Sequence, residues 1–341
     1  MALDGPGLEA LRERSEALAE DLRWAELVEL LSPVADDLLE WAAIAYRLGE
    51  ALYHTGRMEE LRLFAQKLEA GMRRSRDAAG LLRALNLAGI AAFELGRMDE
   101  ARQAFASLLE LAEGEGDDDM LARAANNLGA LANLQGRREE ALSFYQLALP
   151  LYQRLGRSRG LAQTHQNLGI SFRDMGLLRE SDAEFGQAAE LGRGFGYEPI
   201  IAMATVGRAE VAVLRGDPNL GLEIAERGLA LARRIDDPIT QGVALRVRAA
   251  ARIASEPENG GRERALAAAG DDLRAALEIA GRTGNALLEA EALRDLARLE
   301  ALRSREGAAA EQLMRAAERF AALGAEEEAR RLREESAAAL T

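Results

Sequence analysis

Residues 126–156 read NNLGALANLQGRREEALSFYQLALPLYQRLG, and the spacing of three glycines within them decides the fold. Gly129, Gly136 and Gly156 stand seven and then twenty residues apart, with an Ala- and Leu-rich run before Gly136 and another after it. Moving outward, the middle glycine recurs as Gly56, Gly96, Gly136, Gly176 and Gly216, every 40 residues without a slip. Seven residues before each stands Gly49, Gly89, Gly129, Gly169 or Ala209. Twenty residues after each stands Arg76, Gly116, Gly156, Gly196 or Asp236. Self-similarity at one fixed period marks a stack of supersecondary units.

Each period encodes two helices. The Gly56-type residue permits the left-handed backbone that ends a first helix, A. An acidic pair such as Glu59-Glu60 or Glu139-Glu140 then falls in the first turn of a second helix, B, at the positive end of its dipole. The small Gly49-type residue inside A lets B approach closely. In B, large or apolar residues recur at helical spacing: Phe105, Leu108 and Leu109; Tyr145, Ala148 and Leu149; Phe185, Ala188 and Ala189. Such a hairpin leaves one face uncovered, so the units must stack. The expected architecture is all-α: a right-handed α-solenoid of about eight antiparallel hairpins with a C-terminal capping helix, forming one domain over residues 1–341. An N-terminal hairpin is expected at 7–36, with Trp24 and Pro33 in its shorter second helix, followed by five regular repeats over 37–236. The unit at 237–284 carries an inserted loop marked by Pro257, Asn259, Gly260 and Gly261. A last repeat at 285–324 precedes the cap at 325–341, read as a polar helix from Glu326 to Leu340.

These residues resemble the tetratricopeptide repeat. The resemblance rests on Leu128-Gly129, Ala141, Tyr145 and Ala148 in one repeat, on Gly89, Ala101 and Phe105 in the repeat before, and on Leu168-Gly169, Phe185 and Ala188 in the repeat after. The consensus Trp is missing, and the period exceeds the usual length of about 34 residues. The phrases LNLAG, NNLGA and QNLGI are similar to the longer-repeat branch found in kinesin light chains, polarity scaffolds, and bacterial peptide-sensing and transcriptional regulators. The resemblance implies that the A helices line a concave groove. Carried over by register, the candidate partner-binding residues are Tyr46, Tyr53, Arg83, Asn86, Arg123, Asn126, Asn127, Asn133, Gln163, Gln166, Asn167 and Arg173. The same register brings Arg47, Glu50 and His54 from the first repeat, and Glu210, Arg246, Glu291, Arg294 and Asp295 from the later ones.

The amides form the centre of this set. Asn is a mediocre helix-interior residue, and its side chain both donates and accepts. A row of amides one helix apart either grips the backbone of an extended chain or bonds between neighbouring A helices and stabilises the stack. The implied function is a protein- or peptide-binding scaffold. A ligand-responsive regulator acting on an effector in trans and a structural homo-oligomer joined through the solenoid ends are the alternatives.

Composition narrows the field. The chain has 341 residues, 48% hydrophobic and only 4% aromatic, with a formal charge of −14. An acidic chain repels phosphate backbones, so nucleic acid is not an expected partner. Without cysteine there is no thiolate nucleophile and no thiolate metal site. The N-terminus lacks a basic start and an apolar core segment, and no run approaches the roughly 18 apolar residues of a membrane span, so a cytoplasmic location is expected. The two histidines, His54 and His165, lie in different repeats, and no metalloprotease, nucleophile-elbow or phosphate-loop motif occurs. The glycines of Gly192–Gly196 fall on an inter-repeat turn, and Asp117–Asp119 precede a helix they can cap. No catalytic residue, cofactor or metal is expected.

Overall fold

The computed structural model describes residues 5–255 and 261–339. Among them the chain forms α-helices and two short 3-10 turns, with no strand. The first hairpin pairs α1 (Gly5–Glu20) with α2 (Trp24–Leu31), followed by 3-10 turns at Ser32–Val34 and Asp37–Glu40. The next six A/B pairs are α3 (Ala42–His54) with α4 (Met58–Ser75), α5 (Ala78–Glu94) with α6 (Met98–Glu115), α7 (Asp118–Leu134) with α8 (Arg138–Arg154), α9 (Ser158–Asp174) with α10 (Leu178–Gly194), α11 (Glu198–Leu214) with α12 (Pro218–Arg234), and α13 (Pro238–Ala254) with α14 (Arg262–Thr283). The last pair is α15 (Ala286–Leu302) with α16 (Glu306–Ala322), and α17 (Glu326–Ala338) closes the series. The fold is an α-solenoid of antiparallel hairpins. Pro33 lies in the 3-10 turn and not in α2, consistent with its missing N–H. The loop residues Pro257, Asn259 and Gly260, and Leu340 of the expected capping helix, lie outside the described residues.

The chain forms two compact units, Met1–Leu128 and Gly129–Thr341. In the first, Leu27, Leu31, Leu48, Leu61 and Leu68 build the core around α2 to α4. Leu82, Leu85, Leu108 and Met120 continue it toward α7. In the second, Phe185, Ala188, Ile200 and Val211 join α10 to α11, and Leu229, Val247 and Ile279 link α12 to α14. The cap α17 buries Ala329 and Leu332 against Phe320 and Leu313. Within each unit an A helix also packs on the next A helix: α3 on α5 in the first; α9 on α11, α11 on α13 and α13 on α15 in the second. Residues about one period apart therefore become neighbours.

Glycine is required at two kinds of position. The A–B turns hold Gly56, Gly96, Gly136, Gly176 and Gly216 at φ of 73° to 84°. Arg76 and Asp236 take the same left-handed backbone with side chains, at φ 58° and 51°, which costs roughly 1–2 kcal/mol each. Inside helix A the need is space. A Cβ on Gly129 would stand 2.5 Å from the Tyr145 ring, and one on Gly169 2.7 Å from Phe185. Gly49 departs from the expectation that the small residue admits its own B helix. It faces Leu87 of α5, 2.4 Å from a notional Cβ. The reason is local: the α4 residue one period before Phe105 is Ala65, which carries no ring to fill the space.

Candidate functional site

The A helices of the first unit carry a neutral hydrogen-bond chain. Asn86 on α5 is 1% exposed. Its Nδ2 donates to the Tyr46 hydroxyl on α3 at 3.0 Å. Asn127 on α7 donates its Nδ2 to Asn86 Oδ1 at 3.3 Å. Burial raises the Tyr46 hydroxyl's pKa, the nearby Arg123 opposing it, so Tyr46 stays a neutral partner. Arg123 reaches that hydroxyl at 3.5 Å and donates from Nε to Asp119 at 3.0 Å. Arg83 folds back onto the Ala79 carbonyl of its own helix. Asn126 is buried. Asn86 thus takes the stacking role, whereas Asn127 is half-buried and its Oδ1 accepts no hydrogen bond among the described residues. Tyr53 is 36% exposed. Its ring stands edge-on to His54, which stacks on Trp24 with centroids 4.3 Å apart. Arg47 binds Ser15 and Glu16 on α1, fastening the first hairpin.

The second unit holds its A helices by charge. Arg173 on α9 donates to Glu210 on α11 at 2.5 Å. Arg246 on α13 donates to Glu210 at 2.8 Å and to Asp295 on α15 at 3.1 Å, and its Nε lies 3.2 Å from Glu291. Arg294 on α15 continues to Glu328 on α17 at 3.0 Å. The ladder crosses five helices, and the Arg246 side chain at its centre is 3% exposed. Burial alone would push the Glu210 carboxyl up, but Arg173 and Arg246 together bring it down to about 2. Burial likewise opposes the charge on Arg246, and Glu210, Glu291 and Asp295 hold it firmly protonated.

Beside this ladder lie the remaining candidates. Asn133 donates from Nδ2 to Asp174 at 3.2 Å, and Arg173 donates to the same carboxylate at 2.8 Å. Gln163 is exposed and Asn167 half-buried. Gln166 is 7% exposed. Two buried amide oxygens, Gln166 Oε1 and Asn133 Oδ1, have no hydrogen-bond partner among the described residues. His165 pairs with Glu184 on α10 at 2.5 Å, a contact that braces a hairpin.

Sequence reasoning carried Arg246 and its carboxylates into the groove but did not see that they satisfy one another; the alternation of Arg and acidic residues in successive A helices is the available signal. It also passed over Glu94, the last residue of α5. Asp117 caps α7 through the Met120 N–H. Among the described residues no group of three His, Asp or Glu side chains is placed to hold a metal ion, and no helix is long and apolar enough to cross a membrane.

The tetratricopeptide-repeat family model matches residues 82–115 and 120–193. No curated protein matches the chain. Among solved structures, the chain is similar to the APC/C hetero-tetramer Cut9-Hcn1, with 16% identity and TM-score 0.60, covering 96% of this chain and 55% of that one. A Rap protein complexed with Competence and Sporulation Factor is similar at 15% identity and TM-score 0.55, covering 83% and 81%. The apo quorum sensor NprR of B. thuringiensis is similar at 11% identity and TM-score 0.55, covering 98% and 99%. The matched residues and the helix register support a tetratricopeptide-type repeat superfamily, and the solved structures share its fold.

Proposed function

We propose that the chain is a protein- or peptide-binding scaffold whose ligand lies along the A helices. The observation that carries this reading is the pair of buried amide oxygens, Gln166 Oε1 and Asn133 Oδ1, left without a partner among the described residues. An unmet buried acceptor costs about 1–3 kcal/mol, and once either side chain turns outward the N–H groups of an extended chain are suited to recover it. Asn127 Oδ1 offers the same chemistry in the first unit. Tyr53, Arg83, Arg123 and Asn126 complete the proposed contacts of the first unit, and Gln163, Asn167 and Arg173 those of the second. The fold relationship to a quorum sensor and to a Rap protein bound to a factor suits a second reading, a ligand-responsive regulator. The charge ladder favours it, because a ligand competing for one carboxylate would change the spacing of several helices at once.

Gln166→Met tests the binding reading through two effects of opposite sign. The substitution keeps volume and removes the unmet amide, so the protein should gain about 1 kcal/mol of stability. Capture of its partner from a lysate of the source organism should fall. A variant that is less stable yet captures as well as wild type would make Gln166 a stack residue and remove the supporting observation.

A further inference from the structure

Glu94 is the last residue of α5. It is half-buried, and neither a cation nor a hydrogen-bond donor offsets its charge among the described residues. Two features make an anion costly there. The last turn of a helix is the negative end of its dipole. Desolvation by the surrounding protein also pushes the carboxyl up to about 7.

Asp174, two repeats on, shows how the same fold treats an acid at this place when it is meant to be neutralised internally. It too ends an A helix, and it receives Arg173 and Asn133 at 2.8 and 3.2 Å. At the position where α9 carries Arg173, α5 carries Phe93 and α3 carries Tyr53. The Asn86–Tyr46 bond shows that residues 40 apart on these two helices are neighbours, and Tyr53 and Phe93 hold the same register position at the ends of α3 and α5. The Asn133–Asp174 bond links residues 41 apart at the ends of neighbouring A helices, the register that relates Tyr53 to Glu94. Aromatic residues in that register with an uncompensated carboxylate suit a cation supplied from outside, which a ring face attracts and the carboxylate binds by a charge-assisted hydrogen bond. The chain's charge of −14 would draw such a partner in.

We infer that Glu94, with Tyr53 and Phe93, receives an Arg or Lys side chain of an extended polypeptide, a site that rests on the peptide-binding reading above. Short random peptides displayed on phage and sorted against wild type, Glu94→Gln and Glu94→Arg test it. Wild type should select peptides enriched about tenfold in Arg or Lys at one position, the scale of a single charge-assisted hydrogen bond. Glu94→Gln should lose that enrichment, and Glu94→Arg should replace it with Asp or Glu. Glu94→Gln removes a desolvated charge, so it should melt no lower than wild type near neutral pH, which separates lost recognition from unfolding. Peptides without a basic position, or a basic position retained by Glu94→Gln, would overturn the Glu94 site and leave the groove reading standing. Failure of wild type to select any peptide would overturn both.

Discussion

The two units use one backbone plan and hold their A helices in different ways. In Met1–Leu128 the rungs from α3 to α7 are built on neutral groups, with Tyr46, Asn86 and Asn127 bonding in series and Arg123 reaching Tyr46, while the Arg47–Glu16 pair that joins α3 to α1 is ionic. In Gly129–Thr341 they are ionic: Arg173, Glu210, Arg246, Asp295 and Arg294 follow one another. The turns and the glycine contacts do not distinguish them, since Gly89 meets Phe105 and Gly169 meets Phe185 in the same manner. The repeat scaffold therefore fixes which positions face inward and leaves their chemistry open. The difference also locates unmet groups: Glu94 in the neutral unit, Gln166 Oε1 and Asn133 Oδ1 at the start of the ionic one.

The largest expected effect comes from removing the centre of the ladder. Arg246→Met leaves Glu210, Glu291 and Asp295 facing one another in a buried site and should cost about 3–5 kcal/mol. Chemical denaturation followed helix by helix should show α9 to α15 loosening, with α3 to α6 little changed. Loss confined to less than about 1 kcal/mol, the value of an exposed pair, would erase the distinction between the units.

A smaller and equal effect is expected where the units are alike. Gly89→Leu and Gly169→Leu each push a side chain into an aromatic ring less than a van der Waals contact away, and each should cost about 1–3 kcal/mol. Thermal unfolding of the two variants checks it; clearly unequal losses would show that the hairpins do not share one packing. The smallest effect lies at the turns. Arg76→Gly and Asp236→Gly relieve left-handed backbone in the first and second units and should each gain roughly 0.5–1 kcal/mol, less than the full left-handed cost because glycine also frees the unfolded chain. A calorimetric comparison with wild type would read the gain.

Much of the fold was legible because the glycine positions obey local rules that burial cannot override. Gly136 must turn, Gly129 must admit Tyr145, and Glu139-Glu140 begin a helix at its positive end. The boundaries of α5, α9 and α13 follow directly from that period. The departures have physical causes: Pro33 cannot donate within a helix, and Ala65 leaves Gly49 to accommodate Leu87. The candidate site was less legible. Register places Asn86 and Gln166 on the same face, but only geometry shows that Asn86 bonds to Tyr46 and Asn127 while Gln166 Oε1 has no partner among the described residues. Likewise Asp174 and Glu94 are both acids at helix ends, and their difference lies in Arg173 and Asn133 on one side and Phe93 on the other.

The comparison is tested most directly by amide hydrogen exchange, corrected for intrinsic rates, read helix by helix from about pH 8 down to about pH 3. Glu210 is held near 2, below its ordinary value of 4.5. Its stabilisation is therefore present above 4.5 and lost as pH falls toward 2, on the order of 3 kcal/mol by linkage. Glu94 is shifted the other way, to about 7. Its penalty is present above 7 and relieved as pH falls to 4.5, worth on the order of 1 kcal/mol after allowing for partial exposure. Helices α3 to α6 should gain protection between pH 8 and 4.5, and α9 to α15 should lose it below 4.5. Parallel loss in both units, or earlier loss in α3 to α6, would contradict the division into a neutral and an ionic inner face.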